Sequence, residues 1–286
     1  MRSALKLLCV LAHPDDESIA LGGTLAKYAS EGVETSLVMA TRGERGWFKD
    51  PGEYPGEKML GSIREHELRK ACQILGISQL EFLDYVDGDV DQANETTIIA
   101  RIVRAIRMIR PDVVVTFGPD GLYGHPDHIA ISQFTTSALL CAADQSYPHV
   151  NDLAPHCVAK LYYRISPSEW FNHYMPIFGD IVMWIDGQER RAMTWGPWAI
   201  TTRLDTSAYC QQIWQAIQCH QTQIPTDNSL PALSEEMHQR LWGTQEFYRA
   251  FSLVNGGRKE EHDLFEGLRI STPVANTEMS SIILSR

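Results

Sequence analysis

No C-x-x-C pair, no internal repeat and no low-complexity tract occurs in this 286-residue sequence, and Lys and Arg gather in no run. The six cysteines, Cys9, Cys72, Cys141, Cys157, Cys210 and Cys219, are scattered among apolar or helix-forming neighbours. They offer neither a disulfide framework nor metal-ligand spacing, and are expected as reduced, mostly buried thiols of a cytoplasmic protein. With 36 acidic against 25 basic residues and a net charge of −11, there is no basic patch to hold nucleic acid or an anionic membrane. No stretch of about 18 apolar residues is present, so no membrane span is expected. The opening MRSALKLLCVLA has the basic start and apolar run of a short export signal. The run is brief and no small-residue cleavage site closes it, so it is read as a buried first strand. G-x-G-x-x-G is also missing from the first strand-to-helix turn, where a dinucleotide-binding fold carries it; Gly22-Gly23 falls inside the following helix.

What is present is ample core, 44% of residues being apolar. The first half alternates short apolar runs (5–12, 34–40, 80–83 and 112–117) with helix-period segments (18–31, 60–75, 96–109 and 128–142). Four such units predict an α/β fold: a Rossmann-like, mostly parallel sheet with helices on both faces and the chemistry beyond the carboxyl ends of the strands. The second half is less regular, with strand candidates at 160–165, 181–185 and 199–202 and helix candidates at 206–219 and 234–251. With no strong linker, residues 1–286 are expected to form one domain, a core of roughly 1–165 and a C-terminal pocket region of roughly 166–286 that packs on the sheet and roofs the active site. Two long polar loops, 45–57 and 144–156, are candidate specificity loops, the first carrying Trp47, Phe48 and Tyr54.

Two ligand-rich clusters sit at equivalent strand ends: His13-Pro14-Asp15-Asp16-Glu17 after the first and His125-Pro126-Asp127-His128 after the fourth. Zinc prefers imidazole nitrogen and carboxylate oxygen, and a catalytic site uses three protein ligands and keeps a position open. His13 and Asp16, three apart at a turn, can bend onto one ion, with His128 as the third donor. A carboxylate left over can take a proton from water whose pKa the metal has lowered, and a histidine left over can stabilise an oxyanion or protonate a leaving amine. Spacing alone leaves open whether Asp15 or Asp16 binds the metal. A lone H-P-D is usually only a turn with an Asp cap. Two of them, each with surplus carboxylates, are hard to explain as turns alone.

AHPDDE, TRGERG after the second strand, IREHEL in the next helix, YGHPDH and a later His220-Gln221-Thr222-Gln223 together resemble the PIG-L/LmbE family of zinc-dependent deacetylases. The resemblance covers at least residues 5–142. It implies a single LmbE-like domain that removes an N-acyl, chiefly N-acetyl, group from a glucosaminyl-type small molecule, with one Zn²⁺ per chain or another divalent transition metal in its place. It makes His13, Asp16 and His128 the ligands and Asp15 the general base that activates a metal-bound water. It makes His125 the stabiliser of the tetrahedral intermediate, with Asp127 orienting it, and Tyr123 a residue of a mobile loop. Arg64 matches an arginine that lines the substrate pocket; otherwise it is a helix charge paired with Glu65 or Glu67. Glu44 can bond a ligand hydroxyl or cap its loop, and His220 can join the site, suit a helix end or be a satisfied core histidine. Asp87-Gly88 reads most simply as a turn, and Trp195-Gly196-Pro197-Trp198 as packing rather than a sugar-stacking surface. The remaining histidines have no ligand-like neighbours in sequence. A homo-oligomer is compatible with all of this. The alternatives are an amidase for thiol-conjugated glucosaminyl amides, which shares every catalytic residue, a metal-free nucleotide-binding module, and a catalytically dead zinc-binding partner protein.

Overall fold

A computed structural model describes residues 4–47, 49–185, 187–224, 233–255, 257 and 259–269. The elements run β1 (Lys6–Leu11), α1 (Asp16–Ser30), β2 (Glu34–Thr41), α2 (Glu57–Leu75), β3 (Gln79–Tyr85), α3 (Glu95–Ile109), β4 (Val113–Phe117), α4 (Gly121–Gly124), α5 (Pro126–Ala143) and β5 (Lys160–Arg164). There follow α6 (Ser168–Phe178), β6 (Val182–Ile185), β7 (Gln188–Arg191), β8 (Thr202–Asp205), α7 (Cys210–Ile217), α8 (Glu235–Trp242) and β9 (Thr244–Ser252).

Seven strands form one sheet in the order β3-β2-β1-β4-β5-β9-β8. The first five are parallel and β9 and β8 antiparallel, so both halves of the chain share one Rossmann-like sheet. Strand β1, KLLCVL, reads as an unbroken apolar run because helices cover both its faces, and Leu7 to Leu11 have no exposed surface. Helices α1, α2 and α7 pack together on one face and α3 and α5 on the other. Helix α3 shows how locally the sequence dictates this: Asn94 accepts the Thr97 N–H as N-cap, Ile98, Ile102 and Ile106 line its buried stripe, and Arg110 in left-handed geometry ahead of Pro111 ends it. The order reverses between β1 and β4, the chain leaving β1 toward β2 and leaving β4 toward β5. Their carboxyl ends open a crevice at that switch point, and both H-P-D clusters stand there.

Three expectations need correction. Residues 244–251, read as the end of a helix, form β9: Gly243 closes α8, and Gln245 and Phe247 are buried two apart, the period of a strand. The strand at 199–202 begins instead at Thr202, because Pro197 starts a 3-10 turn over Pro197–Ala199. The loop 144–156 is no specificity loop. It follows the far end of α5 and leads to the amino end of β5, at the opposite edge of the sheet from the crevice. There the buried Arg107 donates to the carbonyls of Cys141, Ala142, Asp144, Val150 and Leu153. Arg107→Ala should therefore destabilise the fold by about 2–4 kcal/mol, leaving buried carbonyls unpaired. Denaturant unfolding checks this, and the kcat of the folded fraction should be unchanged.

Candidate metal and catalytic site

The turn after β1 carries strain where the chemistry is densest. Asp15 has φ 122° and ψ −27°, a conformation L-residues rarely adopt. It occupies the N-cap position of α1, yet its side chain makes no capping bond and is free for other work. Glu17 holds this geometry by accepting the Asp15 N–H at 3.0 Å.

His13, Asp16 and His128 converge. His13 Nδ1 lies 3.1 Å from His128 Nε2, Asp16 Oδ1 lies 3.4 Å from the same Nε2, and Asp16 Oδ2 is 3.9 Å from His13 Nδ1. Donors held at about 2.1 Å around a tetrahedral ion stand about 3.4 Å apart; the two imidazole nitrogens and the His128–Asp16 pair approach that spacing, Asp16 reaching His13 through its other oxygen, and His13, His125 and His128 also bring three nitrogens within 4.8 Å of one another. The far nitrogen of His13, Nε2, meets Asp127 Oδ2 at 3.0 Å and Asp87 Oδ1 at 3.1 Å. A proton on Nε2 satisfies these carboxylates and leaves the Nδ1 lone pair for a metal, the usual carboxylate–histidine support. His13, Asp87 and Asp127 also lie close enough to suggest an ion of their own, but this hydrogen bonding accounts for them. Burial opposes protonation of His13, yet Asp87, Asp127 and Asp16 outweigh it and lift its pKa well above the ordinary value. Burial pushes Asp16 up to about 8, His13 opposing and Asp15 adding to it.

His125 completes a triangle of imidazoles, its ring centroid 4.7 Å from His13 and 5.1 Å from His128. Its Nδ1 accepts the Asp127 N–H at 3.1 Å, so a neutral ring carries its proton on Nε2. Burial and His13 lower its pKa to about 4 against the pull of Asp127 and Asp87, keeping it neutral near pH 7. The expected role of Asp127 is thereby revised: its carboxylate is committed to His13 and to the N–H groups of Gly88 and Val90, and only its backbone orients His125. The Tyr123 hydroxyl stands 3.4 Å from His128 Nε2.

Asp15 sits beside this cluster with a side chain 21% exposed, its Oδ2 3.3 Å from Arg64 Nη2. Burial raises its pKa, while Arg64 and His220 hold it down. Arg64 is 2% exposed, so it is neither the helix charge nor the open pocket contact anticipated. Its guanidinium donates to Pro14 O at 2.5 Å and Gly43 O at 2.9 Å as well as reaching Asp15. This explains TRGERG: a Cβ on Gly43 or Gly46 would land on the guanidinium, and Gly43 has φ +68°. Gly43→Ala should displace Arg64 and lower kcat by about 10–100-fold, read by steady-state kinetics with metal content measured alongside. Glu44 caps its loop, accepting the Arg42 and Asp87 N–H groups. His220 is buried at 2% exposure with Nε2 2.8 Å from Glu17 Oε1.

Asp87 was undervalued as a turn residue; the signal available was its place at the carboxyl end of the third strand. Loop 45–57 does border the site, Arg45 N–H reaching Asp87 Oδ2 and Tyr54 bonding Glu44 O, while Phe48 lies outside the described residues. Residues after 165 also approach the site. Tyr174 of α6 stacks on Trp170 at 4.6 Å; burial, with Asp15 nearby, raises its pKa. Trp195 donates to Asp120 and Arg190 to Gly124 O, tying this segment to the Tyr123 turn, while Trp198 is 83% exposed.

The PIG-L description, GlcNAc-PI de-N-acetylase, matches residues 8–139. A 1D-myo-inositol 2-acetamido-2-deoxy-α-D-glucopyranoside deacetylase of Streptomyces griseus is 35% identical, over 94% of this chain and 91% of its own. The chain belongs to the PIG-L family. A second family relative, a mycothiol S-conjugate amidase of Streptomyces coelicolor, is 32% identical over 94% of this chain and 99% of its own. The fold is shared with the N,N′-diacetylchitobiose deacetylase of Pyrococcus horikoshii, with a TM-score of 0.64 at 19% identity over 86% of this chain and 84% of that one. Among the described residues no helix is long and apolar enough to cross a membrane.

Proposed function

We propose that the protein is a zinc-dependent amide hydrolase that removes the acetyl group from an N-acetylglucosaminyl conjugate, with His13, Asp16 and His128 as metal ligands and Asp15 as general base. The observation that carries this is the meeting of three donors at 3.1–3.9 Å beside a carboxylate that caps nothing. One relative is named a deacetylase of an acetamido-glucopyranoside and the other an S-conjugate amidase, and these names support an amide-bearing substrate and, through the first, a glucosaminyl one. When bound, the cation supplies Lewis-acid polarisation of the amide carbonyl and lowers the pKa of water.

The residues do the rest. Asp15, its pKa raised by burial, takes the proton of the attacking water. His125, neutral and protonated on Nε2, donates a hydrogen bond to the oxyanion of the tetrahedral intermediate. Tyr123, its hydroxyl beside His128, is placed to add a second donor. Asp87 and Asp127 hold His13 in the metal-binding tautomer, and Arg64 anchors Asp15. Collapse of the intermediate expels the amine, which takes up the proton Asp15 received, and acetate leaves. The described residues act as one domain, a reading supported by β9 and β8, which join the sheet begun by the first half. The six unpaired cysteines fit a reducing cytoplasm.

The test is release of free amine from a panel of N-acetylglucosaminyl compounds, including the inositol conjugate, by zinc-loaded protein. A second reading, cleavage of a thiol-conjugated glucosaminyl amide, is supported by the 32% identity to the amidase relative over 94% of this chain. Comparison of kcat/KM on the two substrate types separates them. Turnover on neither type would remove both.

A further inference from the structure

We propose that the His220-Gln221-Thr222-Gln223 segment positions the general base, His220 locking the strained Asp15 backbone through Glu17 while Thr222 and Gln223 hold the seat of Arg64. This rests on the assignment of Asp15 as base. His220 follows α7 and lies 203 residues from Glu17, yet its Nε2 stands 2.8 Å from Glu17 Oε1, a carboxylate with no exposed surface. Ser18 Oγ donates to the same oxygen at 2.5 Å. The other oxygen, Oε2, accepts the N–H of Asp15. One carboxylate therefore joins the C-terminal half of the chain to the one peptide group that must hold Asp15 at φ 122°.

Two further residues of the segment reach the other support of Asp15. The N–H and Oγ1 of Thr222 bond the two oxygens of Glu67 at 2.9 and 2.7 Å, on the helix that carries Arg64 one turn earlier. Gln223 Nε2 donates to Gly46 O at 2.9 Å, in the loop whose glycines make room for the guanidinium. His220, Thr222 and Gln223 thus each bond a different motif of the site: AHPDDE, IREHEL and TRGERG. His220 is too buried to act as the substrate contact that its family-like motif suggests. What Glu17 requires of it is one donated N–H, which an amide also supplies.

The experiment compares wild type, His220→Ala, His220→Gln and Asp15→Asn as zinc-loaded proteins. Metal content, kcat and KM are measured on an N-acetylglucosaminyl conjugate, and crystal structures of wild type and His220→Ala are determined. His220→Ala is expected to keep one zinc per chain, to let Asp15 leave positive φ, and to lose about 100-fold in kcat with KM within about twofold. His220→Gln should recover most of that loss. Asp15 at its wild-type φ with kcat within about threefold of wild type in His220→Ala would overturn the proposal. So would a rise in KM at unchanged kcat, the mark of a substrate contact. If His220→Ala does not fold, His220→Gln decides: a loss as large as that of Asp15→Asn overturns the proposal, and near-wild-type kcat supports it. If wild type itself hydrolyses no amide, the functional reading fails, and the Asp15 geometry still reports on the brace.

Discussion

Asp15→Asn is expected to lower kcat by about 10³-fold, within the range a positioned general base supplies, while KM and zinc content stay unchanged. The substitution keeps the shape of the side chain and an oxygen that can accept from Arg64 Nη2, so the strained turn has no reason to rearrange. It removes only the ability to take a proton. Folding stability should hold or rise, because burial already disfavours the Asp15 carboxylate, and Glu17 beside it adds to that. A lowered Tm together with metal loss would point to a structural or ligand role. Intact turnover would remove Asp15 from the mechanism.

His128→Gln should be as damaging by a different route. His128 has no exposed surface, and its ring stacks on Phe117 at 4.0 Å with an interplanar angle of 8°. Burial and the neighbouring His13 and His125 hold its pKa well below the ordinary value, so it stands as a neutral donor. Partners one bond removed from a metal are worth about 10–100-fold in affinity. Replacing a ligand should exceed that, leaving protein that purifies with less than stoichiometric zinc and shows amide hydrolysis at background. Asp127→Asn provides the graded comparison. It weakens the carboxylate on His13 Nε2 without removing a donor, and should cost metal affinity in that 10–100-fold range. Competition with a chromogenic chelator measures all three proteins on one scale. Equal zinc affinity in His128→Gln and wild type would exclude His128 as a ligand.

The parallel half of the fold was legible because its signals are local. Apolar runs such as that of β1 and capped, periodic helices such as α3 leave little choice, and the switch point follows from their order. The antiparallel end was not. Whether 244–252 is helix or strand is decided by the gap it fills between β5 and β8, which no local pattern encodes. The same division runs through the site. His13, Asp16 and His128 stand out because two clusters of ligand-type residues end equivalent strands. Arg64 stands out in sequence with Glu65 or Glu67 as its neighbours and His220 with no partner at all, since their contacts lie across 49 and 203 residues of sequence. Asp87 was hidden by its ordinary appearance as half of an Asp-Gly turn. The loop 144–156 is misleading in sequence through its length and polarity: its distance from the crevice follows only from the direction in which α5 runs.

The most direct measurement is titration of chelator-stripped protein with Zn²⁺ while amine release from an N-acetylglucosaminyl conjugate is followed. Activity should start at background, rise linearly and break at one equivalent per chain, and Asp15→Asn should bind the same single equivalent without gaining activity. Full turnover by the stripped protein, or a zinc-loaded Asp15→Asn as active as wild type, would contradict a metal centre built on His13, Asp16 and His128 and served by Asp15.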